Sequence, residues 1–173
     1  MKSLSLKPIY ASGPFQQWGL DFIGEINPHS SGQHRWILVA IDYFTKWIEA
    51  IPTRKDDHQV VMRFLTENIF ARFGCPQKLV RDNATTFRAK ELVGMCDSMG
   101  IKLVHSTSYY PQGNGLAESS NKSLVRIIKS CWKTTSGVGM KFALWADKVT
   151  TKKSIGNSPF KLVYDIEAVS QFS

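Results

Sequence analysis

Three acids, Asp21, Asp82 and Glu118, occupy positions from which this chain can bring carboxylates together. Asp21 sits inside an apolar run, Trp18-Gly-Leu-Asp-Phe-Ile-Gly24, that reads as a strand. Asp82 follows a second short strand, Gln77 to Arg81. Glu118 follows a polar, Pro/Gly-broken stretch and opens a helix in which Leu124, Ile127, Ile128 and Cys131 recur at helical spacing. Sites in open α/β sheets form outside the strand ends, so acids at those places can converge. Carboxylates held close repel, burial makes their charge more costly, and divalent cations relieve both. Mg²⁺ takes oxygen ligands and keeps waters that phosphate oxygens replace. Two such ions about 4 Å apart clamp the attacking and leaving oxygens of an in-line phosphoryl displacement. Spacing alone is weak support. Fourteen acids in 173 residues give about one pair spaced like Asp82 and Glu118 by chance. A first-turn Glu118 also has an ordinary role at the positive end of a helix dipole.

The elements that must position these acids follow from the hydrophobic pattern. Arg35 to Asp42 is apolar on both faces and reads as a central strand, and Lys46 to Ile51 reads as its neighbour, closed by Pro52. Asp56 or Asp57 caps a helix with Val61, Phe64, Leu65, Ile69 and Phe73 on its apolar face, stopped by Gly74 and Pro76. A second helix carries Leu92, Met95, Cys96 and Met99, and Ile101 to His105 is a fifth strand. Three strands followed by alternating helices and strands predict one α/β domain with a mixed sheet. The expected boundaries are a leader over 1–12, the domain over 13–168 and a tail over 169–173.

Composition narrows the partners. Lys plus Arg number 22 against 14 for Asp plus Glu, a net charge of +8 that suits a polyanion. Cys75, Cys96 and Cys131 form no metal-ligand pair or disulfide framework and read as buried thiols in a reducing compartment. Absence of a signal-like or membrane-length apolar run predicts a soluble, intracellular chain. His34, His58 and His105 lack metal spacing, and Asp42 reads as a strand-end or turn residue rather than a ligand.

Together these residues carry a resemblance. Trp18-Gly-Leu-Asp-Phe22, Asp82-Asn83 with Phe87, and Tyr110-Pro-Gln-Gly-Asn-Gly-Leu-Ala-Glu118 with Asn121-Lys122 resemble the catalytic core of retroviral and retrotransposon integrases. Ile37 to Ala50, Phe70 to Gln77, Leu144-Trp-Ala146 and Ser158 to Tyr164 extend the likeness, which is nearest to gypsy-type elements of plants. The resemblance implies a ribonuclease H-like α/β fold, a five-stranded mixed sheet flanked by helices. It also implies two-metal 3′-end processing and strand transfer of element DNA into target DNA. Asp21, Asp82 and Glu118 would then be catalytic and would hold two Mg²⁺ or Mn²⁺ ions. Asn114, Asn121, Lys122 and Arg126 would touch DNA. The partners implied are element ends and target DNA, with a homo-oligomer in the intact family, no membrane, and a nuclear location following from the activity. Plainer readings stand beside the supporting residues: Lys122 at i+4 from Glu118 suits a helix-surface ion pair, and Asn121 suits solvent.

The chain also departs from the family. Ala84 replaces a Gly usual after the Asp-Asn pair, which matters if that position needs positive φ. A basic helix position falls on Val125, beside Arg126. Within these 173 residues the family's His-His-Cys-Cys zinc module and carboxy-terminal DNA-binding barrel have no counterpart. Cys131-Trp-Lys-Thr-Thr-Ser-Gly-Val-Gly139 breaks the helical pattern; one set of codons that encodes Cys-Trp-Lys-Thr-Thr, TGC TGG AAG ACA ACA, gives Leu-Glu-Asp-Asn when read one base back, and the expectation drawn from it is a local frameshift. If the frame is shifted there, Thr, Ser and Gly weaken helix continuation past Ile128 and the last helix docks poorly. A non-catalytic, nucleic-acid-binding remnant of a retrotransposon polyprotein is therefore the alternative. A ribonuclease H-type hydrolase and a transposase with a similar triad are further rivals.

Overall fold

The computed structural model describes residues 12–30, 32–82, 84–105, 126 and 138–165. The first three strands, β1 (Gln17–Gly24), β2 (Trp36–Asp42) and β3 (Ile48–Thr53), form an antiparallel meander. Asp42 makes its corner, as the turn reading predicted. Its Oδ2 accepts the Thr45 amide (2.8 Å) and hydroxyl (2.6 Å), and its Oδ1 accepts the Phe15 amide (3.0 Å). Burial raises the Asp42 pKa while these hydrogen bonds oppose the shift.

β3 runs through Pro52 rather than ending before it. The Asp42 amide donates to the Trp47 carbonyl (2.9 Å), so alternate pairs 40/49, 38/51 and 36/53 are the hydrogen-bonded ones. Pro52 therefore turns its nitrogen away from β2, to the outer edge of the sheet. A missing N–H there disrupts no ladder and blunts the edge against further pairing.

Asp57 caps α1 (His58–Phe64) by accepting the Val60 amide (2.9 Å). The helix continues through a π-helical segment, Leu65–Phe70, into α2 (Ala71–Phe73), and Gly74 ends it at φ 81°. The apolar spacing anticipated the helix but not its π-type stretch. After β4 (Lys78–Arg81) come a 3₁₀ turn over Thr85–Arg88, α3 (Lys90–Ser98) and β5 (Lys102–His105). The sheet order is β3-β2-β1-β4-β5, with β4 parallel to both β1 and β5. This is the expected five-stranded mixed sheet.

Alternation sorts the strand residues to two faces. Trp18, Leu20, Leu38, Ala40 and Leu79 pack with Val61, Phe64, Leu65, Ile69, Phe87, Leu92 and Cys96 in the larger core. On the other face, Ile37, Val39, Ile48 and Ala50 receive Met140 and Leu144 from α4 (Val138–Val149). The helix continuation past Ile128, expected to be weakened, lies outside the described residues. Met140 and Leu144 recur one helical turn apart, and both are buried on the sheet. The final α5 (Pro159–Tyr164) is capped by Ser158, whose hydroxyl accepts the Lys161 amide (3.2 Å). Cys96 is buried as read, but Cys75 is exposed at the turn after α2.

Candidate active site

The parallel junction of β1 and β4 brings two of the three acids, Asp21 and Asp82, side by side. The ladder pairs Gly19 with Val80 and Leu20 with Arg81, so its next step sets Asp21 beside Asp82. Adjacent strands lie about 4.8 Å apart. Gly19, Asp21 and Ile23 share the sheet face opposite the larger core, because Trp18, Leu20 and Phe22 turn toward that core. Asp21 itself is solvent-exposed. Its carboxyl is nevertheless raised from 3.8 to about 6, first by the protein packed around it, then by the Asp82 charge; a hydrogen bond from the Phe22 amide partly opposes both.

Asp82 is fixed by the turn that follows it. Its Oδ1 accepts the Ala84 amide (3.0 Å), an Asx-type turn that leads into the 3₁₀ segment. Phe87 anchors that segment in the core, with its ring 5.7 Å from that of Phe22. Ala84 has φ −60° and ψ 144°, a conformation open to any L-residue. The alanine at this position therefore carries no backbone strain. Arg81, one residue earlier, points to the opposite face and is buried, and burial followed by the Arg88 charge lowers its pKa.

Glu118, Asn114, Asn121 and Lys122 lie outside the described residues, as does Cys131. Arg126 is helical and exposed. Among the described residues no group of three or more His, Cys, Asp and Glu side chains gathers. Of the three candidate acids, the described residues include the Asp21–Asp82 pair. Two oxygen donors in register, one disfavoured as an anion by the other, form a donor set that a hard divalent cation would neutralise. The chemistry of the pair thus fits the ion. A separate groove of about 720 Å³, bounded by Ile51, Arg54, Val60, Arg63 and Glu67, shares no residue with it.

Reading the sequence for chemistry missed one neighbour, Tyr43. A Cβ placed on Gly19 would meet its hydroxyl at 2.8 Å, so the phenol lies against β1 beside the acid face. Burial and then the Asp21 charge raise its pKa, keeping it a neutral donor. A tyrosine just after a strand-end Asp gave no sequence signal for this, because only the β1–β2 register carries it over Gly19.

A mixed sheet in this order, with paired acids where β1 meets β4, defines a ribonuclease H-like domain. The integrase core domain family matches residues 11–111, more than half of the chain, and the chain belongs to that family. It is 30% identical over 162 residues to the Gag-Pol polyprotein of avian reticuloendotheliosis virus, covering 92% of this chain and 14% of that polyprotein. The Gag-Pol polyprotein of baboon endogenous virus (strain M7) is 30% identical over 158 residues, covering 87% of this chain and 9% of its own length. The chain thus spans a small part of these curated relatives. A chain from the cryoEM structure of the simian T-cell lymphotropic virus intasome in complex with PP2A regulatory subunit B56 gamma superposes with a TM-score of 0.70. Identity there is 18%, with 88% of this chain and 55% of that one covered, a likeness of fold. No described helix is long and apolar enough to cross a membrane.

Proposed function

We propose that this chain is the catalytic core of a gypsy-type retrotransposon integrase that processes the 3′ ends of element DNA and joins them to target DNA. The observation that carries the reading is the Asp21–Asp82 pair at one register step, with Asp21 raised to about 6. Asp21 and Asp82, with Glu118 as third acid, would hold Mg²⁺ or Mn²⁺. When bound, two such ions supply the charge that clamps attacking and leaving oxygens in an in-line phosphoryl displacement. The residues themselves orient the site: the Asx turn at Asp82 holds one carboxylate, and the β1–β4 ladder fixes the spacing of the other. The net charge of +8 supports DNA as partner, with Asn114, Asn121, Lys122 and Arg126 as the proposed contacts. The intasome likeness supports assembly as a homo-oligomer on DNA, and the activity requires access to nuclear DNA. The test is a disintegration assay on a branched DNA mimic with Mg²⁺ or Mn²⁺, beside Asp82→Asn and Glu118→Gln. Metal-dependent resolution lost in both variants is expected; a folded wild type without activity would favour the non-catalytic remnant.

A further inference from the structure

We infer that the Tyr43 hydroxyl is a substrate-contacting group, donating a hydrogen bond to a backbone phosphate oxygen of the DNA strand bound at Asp21 and Asp82. The inference rests on the integrase reading above and deepens it. Tyr43 leaves β2 with its amide donating to the Gln17 carbonyl (3.0 Å), so its side chain starts level with Gln17. From there it extends along β1. A Cβ on Gly19 would lie 2.8 Å from its Oη and 2.9 Å from Cε1. Gln17, Gly19 and Asp21 form one row on one face, with steps of about 6.6 Å. The phenol thus fills the place of a residue-19 side chain, and the next group in the row is the Asp21 carboxylate. Glycine is what leaves room for it there.

The ring is held as well as placed. Lys46 donates from Nζ to the Tyr43 carbonyl (2.9 Å), and the same ammonium lies 5.8 Å from the ring centroid. A donor fixed before substrate arrives spends little ordering entropy on contact. Its neutrality suits the place. An ammonium in that row would compete with a metal ion for the carboxylates, whereas an O–H can meet a phosphate oxygen without discharging the acid pair.

Tyr43→Phe keeps the ring and removes only the donor. The test is fluorescence-anisotropy binding of a fluorescein-labelled branched DNA in Ca²⁺ buffer, paired with thermal melting and with the disintegration rate in Mg²⁺. A roughly fivefold weaker DNA Kd and a slower rate, at an unchanged Tm, are expected, the size of one lost hydrogen bond. Gly19→Ala, which drives the phenol off β1, should weaken binding similarly; if it fails to fold, Tyr43→Phe decides alone. Tyr43→Phe binding and resolving DNA like wild type overturns the contact and leaves the integrase reading standing. A wild type that neither binds nor resolves the DNA overturns both.

Discussion

Replacing Asp21 by Asn should stabilise the metal-free protein at neutral pH, the reverse of what removing a satisfied carboxylate does. The Asp21 carboxyl moves from 3.8 to about 6 on folding, so the folded chain disfavours its charged form. Between roughly pH 4 and 6 the folded state therefore keeps a proton that the unfolded chain has released. Stability falls as pH rises through that window and stays lower above it. At about 1.4 kcal/mol per unit the shift bounds the effect near 3 kcal/mol. Asp21 is exposed, and solvent screening brings the figure to about 1 kcal/mol. For a chain of this length that is about 2–4 °C in Tm. Melts in EDTA at pH 7.5 should show Asp21→Asn higher by that margin, and the gap should close toward pH 4. Added Mg²⁺ should raise wild type and leave the variant unmoved. A variant less stable than wild type at pH 7.5 in EDTA, or a gain independent of pH, would refute the electrostatic account of the pair.

Two further outcomes follow from buried polar groups away from the acids. Glu49 accepts from Trp47 Nε1 (2.7 Å) and Lys148 Nζ (2.9 Å) through one oxygen and pairs with Arg72 (2.9 Å) through the other. Glu49→Gln leaves those cations short of a counter-charge at the β3 edge and should cost about 3 kcal/mol in urea unfolding. A loss below about 1 kcal/mol would mean that water takes over the pairing. Asp42→Asn should lose about 1–2 kcal/mol, since an amide replaces one oxygen that accepts backbone or hydroxyl hydrogens. It should keep full Mg²⁺-dependent stabilisation; losing that would make Asp42 a metal ligand instead of a corner.

Much of the fold was legible because its elements are written in local pattern. The unbroken apolar run from Trp36 to Ile41 marks a strand covered on both sides, and Asp57 marks a helix start by its side-chain oxygen. The Pro52 strand was misjudged at its end because local pattern does not say which edge a nitrogen faces. The π-type stretch over Leu65–Phe70 was invisible because its apolar residues also suit an α-helix.

Sequence by itself determined the element types, the basic charge and the acids worth watching, because propensity, periodicity and composition are properties of short stretches. Tertiary structure decided which acids meet. Asp21 and Asp82 are sixty-one positions apart, and only the parallel β1–β4 register makes them neighbours and lets one charge raise the other's pKa. The same holds for Tyr43 over Gly19 and for Glu49 with Arg72 and Lys148. Those contacts depend on through-space electrostatics and close packing between distant segments, which no local pattern encodes.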